Sequence, residues 1–270
     1  MTPAAPGTGS TSADAGDALL DIQGLTRRFG GVRAVDGVSL TVRPGEVFGL
    51  IGPNGAGKTT LINLATGLLR PDSGRVLFGG QDVTGWPAHA VARSGLTRTY
   101  QHIRLFSAMT ALDNVIAGAH IRRDAPYWRR LMLLPRAAGE EARARATALE
   151  LLEQLGLGSV AETPAGSLSY GDRRRLEIAR ALAAAPRLLL LDEPAAGMSH
   201  AEAERLVELI RHLPERGHSV LLVEHNMRVV MGACHRIGVL SFGQLIATGE
   251  PAAIRADARV VEAYLGRDED

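Results

Sequence analysis

Lys58 and Thr59 close the octet Gly52–Thr59, GPNGAGKT, which fits the phosphate-binding loop pattern G-x-x-x-x-G-K-[ST]. Glycines in such a loop let successive backbone N–H groups point inward at phosphate oxygens, and a helix starting at about Lys58 adds its N-terminal dipole. There the Lys58 ammonium reaches the β- and γ-phosphates and the Thr59 hydroxyl ligates Mg²⁺. Gly52, Pro53, Asn54, Gly55, Ala56, Gly57, Lys58, Thr59 and Thr60 are therefore the candidate nucleotide contacts. A second stretch, RLLLLDEP, delivers two adjacent carboxylates at the end of an apolar run. Asp192 is placed to hold the shell of a magnesium ion, and Glu193 to polarise an attacking water as a general base. Taken alone, Glu193 also reads as a solvated acid at a strand end.

These residues need a scaffold, and its elements can be read along the chain. Residues 18–42, ALLDIQGLTRRFGGVRAVDGVSLTV, show short apolar runs broken by Gly and Asp, the pattern of an antiparallel β region. GEVFGLIGPNGAGKTTLINLATGLL then gives a buried strand, the glycine loop and a helix, the opening βα unit of an α/β sheet. GRVLFGGQDV reads as a further hairpin strand. From about residue 97 the texture turns helical and arginine-rich, so roughly residues 97–182 are assigned to an inserted helical subdomain. It ends in LSYGDRRRLEIARAL, where Ser169 and Asp172 have capping-box spacing and Leu176, Ala179 and Leu182 share a face. The sheet resumes at RLLLLDEP and at HSVLLVEH, with the helix SHAEAERLVELIRHL between them. Alternating strands and helices imply a mostly parallel sheet whose carboxyl ends form the ligand-binding edge. The fold class is thus α/β: a P-loop NTPase core with an antiparallel β region and an inserted α-helical subdomain. Residues 1–17 read as a disordered tail, and 18–270 as one nucleotide-binding domain.

Composition narrows the function. The chain has 270 residues, 46% apolar and 22% charged, enough for one substantial core. Thirty Lys and Arg face 29 Asp and Glu, a net charge of +1, too weak a field to make nucleic acid a partner. Cys234 is the only cysteine, so no internal disulfide forms, and beside His235 it lacks the further ligands of a zinc site. No apolar stretch approaches the length of a spanning helix, and the first residues lack the features of a secretory signal.

Five stretches occur in one order: GPNGAGKT, YQHIRLF, LSYGDRRRLEIARAL, LLLLDEPAAGM and VEHNM. In that order they resemble the ATP-binding cassette (ABC) ATPases, the nucleotide-binding subunits of transporters, over essentially everything from Leu19 to Gly266. The resemblance implies ATP and Mg²⁺ as ligands. It makes Gln101 the residue that contacts magnesium and the attacking water, with flanks facing a membrane subunit; alone, Gln101 is a polar loop residue. It makes His225 the histidine that contacts the γ-phosphate, where a lone histidine at a strand end otherwise reads as structural. Phe29 falls where the family stacks an aromatic on adenine, or else it is a core strand residue. Ser169 and Gly171 would present a hydroxyl and an amide to the γ-phosphate of ATP held by a second subunit. The chain departs from the commonest motif at Tyr170 (Gly), at Asp172 (Gln) and near Ser199 (Asp or Asn). Asp172 either faces the phosphate and weakens the site or serves the helix cap and dipole.

Within the family, RTYQHIRLF, RRLEIARAL, DEPAAGM, VEHNMRVVMG and VVEAYLG look most like the branched-chain amino acid importer ATPase. The arginine-containing insert from about Ala119 to Arg145, with Trp128, looks like that branch as well. Its charged run is either a solvated helix face or a docking element. The resemblance implies a second ATPase subunit, paralogue or identical copy, two transmembrane permease subunits and an extracytoplasmic solute-binding protein. It places the chain on the cytoplasmic face of a membrane. ATPases for urea or other small solutes and for lipopolysaccharide export share much of the pattern. A soluble ABC protein acting on nucleic acid is the rival from another class, although the chain has one cassette and no sustained heptads. A GTPase would need an Asn/Thr-Lys-x-Asp element, which is missing.

Overall fold

The computed structural model describes residues 18–99, 101, 103–119 and 134–265. The tail 1–17 and the part of the insert around Trp128 lie outside the described residues. In chain order the elements begin with β1 (Leu20–Phe29), β2 (Val32–Val42), β3 (Val47–Ile51), α1 (Lys58–Ala65), β4 (Ser73–Phe78) and β5 (Gln81–Asp82). Next come α2 (Ala88–Ser94), β6 (Leu96–Arg98), α3 (Ala111–Ala119), α4 (Leu134–Gln154) and α5 (Tyr170–Leu182). The chain continues through β7 (Leu188–Asp192), α6 (His200–His212), β8 (Ser219–Val223), α7 (Met227–Ala233), β9 (Arg236–Ser241) and β10 (Gln244–Gly249). It closes with α8 (Pro251–Ala256) and α9 (Ala258–Leu265).

Two sheets result. One is antiparallel, in the order β2-β1-β4-β5; the other has six strands in the order β10-β9-β3-β8-β7-β6. In the larger sheet β9, β3, β8, β7 and β6 run parallel, and only the edge hairpin β9–β10 is antiparallel. Its inner strands are apolar on both faces, which suits a sheet covered on both sides. The two-residue period of a strand divides them cleanly. Val47, Ile51, Leu189, Leu191, Val220 and Leu222 pack on one side with α3, α5 and α6, while Phe48, Leu50, Leu188, Leu190, Leu221 and Val223 pack on the other with α1 and the antiparallel sheet. Truncating one of these leucines to alanine costs about 2–5 kcal/mol.

The topology sets up the chemistry. β3, β8, β7 and β6 are consecutive neighbours and all point the same way. The glycine loop follows β3, His225 follows β8, Asp192 ends β7 with Glu193 just past it, and Gln101 follows β6, so four segments distant in sequence leave one edge of the sheet. The helical segment starts later than residue 97, because Leu96–Arg98 is a strand of the core sheet, paired parallel with Leu188–Leu190. The sequence texture misleads there because Arg98 is charged, yet its charge is met at the sheet edge by Asp192.

Candidate functional site

The glycine loop is built from backbone that other residues adopt only under strain. Gly52, Gly55 and Gly57 have φ of 151°, 77° and 102°. A Cβ on Gly52 would stand 2.1 Å from the Leu240 carbonyl oxygen, and one on Gly57 2.2 Å from that of Ala34. Gly57 caps α1 in the left-handed conformation, which brings Lys58 and Thr59 into the first turn, where backbone N–H groups lack helical acceptors. Lys58 is buried, and its ammonium is held over the loop by the carbonyls of Gly52 (2.5 Å) and Pro53 (3.0 Å). A cleft of about 330 Å³ is lined by Asn54 to Thr60, by Val32, Arg33 and Ala34, and by Phe242 and Glu193. Thus the general-base candidate faces the same space as the phosphate loop.

Glu193 sits immediately past β7 in the left-handed region, φ 47°, a conformation that costs a non-glycine residue energy and is found preferentially at functional sites. Its backbone N–H donates to Val223 in the neighbouring strand (2.8 Å). Gln101 Nε2 donates to Glu193 Oε2 over 2.9 Å, and His225 Nδ1 approaches the other oxygen to 3.7 Å, longer than a hydrogen bond. The three catalytic candidates therefore converge on one carboxylate from the ends of three adjacent strands. Asp192 is buried, and its carboxylate accepts from Arg98 Nη2 at 2.7 Å.

Three groups in this arrangement escape sequence reasoning. Arg98 also donates to Asn63 of α1 (2.6 Å), tying the helix of the phosphate loop to Asp192. Glu224, fully buried, accepts from the backbone N–H groups of Ala195 (2.7 Å), His225 (3.0 Å) and Asn226 (3.1 Å), so one carboxylate fixes the turn after Glu193 relative to His225. Arg174, in α5, is also fully buried. It pairs with Glu177 at 2.8 Å and donates to the carbonyls of Gln101 (2.9 Å) and Glu193 (3.3 Å). The only signals were charges inside otherwise apolar strands and an i,i+3 arginine–glutamate pair, patterns that solvated faces share.

The remaining candidates lie further out. Phe29 ends β1 with 46% of its surface exposed and the Arg27 guanidinium 5.1 Å from its ring, so it is not a core residue; it does not line the phosphate cleft. Ser169 is exposed and caps α5, accepting from Asp172 N at 3.1 Å and donating to Asp172 Oδ2 at 2.7 Å. Arg175 holds the other Asp172 oxygen at 2.5 Å, so this carboxylate serves its own helix turn, the cap alternative. Gly171 is buried against Glu202, whose Oε1 would lie 2.3 Å from an added Cβ. Ser199 has become the N-cap of α6 in a reciprocal capping box with Glu202. Ser169 and Gly171 line a separate cleft of about 180 Å³ that shares no residue with the phosphate cleft.

Magnesium is tested by the donors present. Thr59 offers a hydroxyl and Asp192 a carboxylate, and Gln101, donating through Nε2, keeps Oε1 as an acceptor. These are hard oxygen ligands of the kind Mg²⁺ takes. Among the described residues no cluster of three or more His, Cys, Asp or Glu side chains could hold a metal ion.

The sequence profile of the ABC transporter family matches residues 35–196, and that of a branched-chain amino acid ATP-binding cassette transporter matches residues 244–270. The high-affinity branched-chain amino acid transport ATP-binding protein BraF of Pseudomonas aeruginosa is 43% identical over 92% of this chain and 98% of its own. The lipopolysaccharide export system ATP-binding protein LptB of Escherichia coli is 38% identical over 93% and 98%. Two crystal structures of ABC transporter cassettes, one nucleotide-free and one in an ADP conformation, superpose with TM-scores of 0.80 and 0.79. Each is 32% identical and covers 92% of this chain and 99% of its own.

Proposed function

The chain belongs to the ABC transporter family, and from that premise we propose that it is the ATPase subunit of a branched-chain amino acid importer. The observation that carries this reading is Glu193: it lines the cleft of the phosphate loop and is held by Gln101. The amino acid assignment rests on the likeness to BraF and on the C-terminal profile match. The greater identity to BraF than to LptB favours import over lipopolysaccharide export.

The residues divide the work. Asn54 to Thr60 wrap the phosphates with backbone N–H groups, and Lys58 turns from the loop carbonyls to the β- and γ-phosphates. Bound at Thr59, Asp192 and Gln101, magnesium would neutralise charge on the phosphate oxygens. Glu193 accepts a proton from the attacking water, Gln101 keeps that carboxylate in place, and His225 faces the γ-phosphate from the next strand. Phe29 stacks on adenine. Ser169 and Gly171 serve the ATP of a second ATPase subunit, so two subunits pair head to tail around two nucleotides; their place in a cleft apart from the loop supports this reading.

Among the described residues no helix is long and apolar enough to cross a membrane, so the chain meets it through permease partners. A largely apolar cleft of about 370 Å³ between α2, β6, α3 and α5, with Phe106 half exposed at its wall, is where a permease segment docks. Its wall includes Arg98 and Thr99, just before Gln101, which gives a docked segment a route to the catalytic carboxylate.

Reconstitution with the two permeases and the companion ATPase in vesicles tests the assignment. Leucine uptake should require ATP and a binding protein, and urea should not be taken up. ATP hydrolysis that leaves leucine outside while moving urea would overturn the substrate; no hydrolysis at all would overturn the enzyme.

A further inference from the structure

Tyr170, the second residue of the turn that starts α5, donates its hydroxyl to the Ala196 carbonyl over 2.8 Å. Its ring rests against Gly197, where an added Cβ would stand 3.4 Å from Cε1 and 3.5 Å from Cζ. Ala196 and Gly197 belong to the loop that begins with Glu193 and ends at Ser199, the cap of α6. The start of that loop is fixed by Glu193 N to Val223 O and by Ala195 N to Glu224 Oε1. One turn further along α5, Arg174 holds the Glu193 carbonyl at 3.3 Å. The helix therefore grips the loop twice, through Arg174 where Glu193 leaves the sheet and through Tyr170 three residues on.

We infer that Tyr170 is a positioning residue that links the Ser169–Gly171 turn to the Glu193–Ser199 loop of the same protomer. This rests on the proposed head-to-tail pairing. When the γ-phosphate on the partner subunit engages Ser169 and Gly171, the shift of that turn pulls on Ala196 and sets the Glu193 carboxylate. A glycine at position 170, the commonest form of the motif, has no hydroxyl to make this link. The chain thus couples the two nucleotides through a side chain placed where the motif usually has none.

The test is Tyr170→Phe in the assembled transporter, since it deletes the hydroxyl and keeps the ring on Gly197. Titration with fluorescent ATP should give an unchanged Kd, and the melting temperature should stay that of the wild type. kcat should fall about threefold to tenfold, the span of a single hydrogen bond, with KM unchanged and the cooperativity of hydrolysis in ATP reduced. An active wild type matched by Tyr170→Phe in kcat and cooperativity overturns this inference alone. A variant whose ATP affinity, kcat and melting temperature all fall together assigns Tyr170 a folding role and overturns it too. A wild type that neither hydrolyses ATP nor associates in its presence overturns the functional reading, and this inference with it.

Discussion

Arg98 Nη2 donates to Asp192 Oδ2 over 2.7 Å, and the two side chains are only 9% and 8% exposed. A carboxylate that deep is tolerated because a guanidinium neutralises it, and the same guanidinium reaches Asn63 on the phosphate-loop helix. Removing one partner of such a pair is costly, whereas replacing both is often neutral. Arg98→Met should therefore lose about 3–5 kcal/mol in urea denaturation, and adding Asp192→Asn should restore most of it. A single variant as stable as the wild type would show that the pair does not matter.

Glu193→Gln keeps the size of the side chain and an oxygen for Gln101 but cannot take a proton. Steady-state phosphate release should drop by about 10²–10⁴, the usual worth of a general base. Titration with labelled ATP should give near wild-type affinity, because the phosphate loop is untouched. Normal turnover by this variant would remove Glu193 from its assigned role.

The sequence carried the parts of the molecule that obey short-range rules. The P-loop helix starts at Lys58, Ser169 caps α5, and the apolar runs before Glu193 and His225 are strands, because glycine spacing, capping chemistry and β-rich runs act within a few residues. What stayed hidden is long-range charge compensation. Arg98 looked like the start of a helical, arginine-rich segment, since its partner Asp192 lies 94 residues away. Arg174 sits in a run of three arginines to which the sequence assigned no role, yet it is fully buried against Glu177 and two loop carbonyls. Glu224 carried no signal of its own, and its three backbone donors become visible only when the strands are adjacent.

Cys234 closes α7 beneath Gly49 of the central strand and is buried. Burial first, and then the charges of Glu224 and Glu46, push its thiol from the ordinary 9.0 up to about 12. A disulfide reagent at pH 8 should leave the folded chain unlabelled and react with one thiol in denaturant, because thiolate is the nucleophile. The folded state binds this proton more tightly than the unfolded chain. Its contribution to stability is therefore complete below pH 9 and is lost as pH rises from 9 toward 12. A folded protein that labels fully at pH 8 would contradict the burial.

Gly57 and Gly31 make a matched pair of alanine substitutions. Gly31, in the β1–β2 turn, has nothing within 4 Å of an added Cβ and no positive φ, so Gly31→Ala should stay within about 0.5 kcal/mol of the wild type. At Gly57 the backbone is left-handed, φ 102°, and the new methyl would collide with the Ala34 carbonyl of β2 at 2.2 Å. Relief requires the loop to move away from β2, which tips the first turn of α1 and withdraws its N–H groups from the phosphates. Gly57→Ala should thus lose at least tenfold in ATP affinity by fluorescence titration, because about 1.4 kcal/mol is tenfold and several N–H contacts are displaced together. Far-ultraviolet circular dichroism should remain that of a folded α/β protein, since the core beneath β3 is unchanged. Unaltered nucleotide binding would mean that the loop tolerates the methyl and that its glycine geometry is not what holds the phosphates.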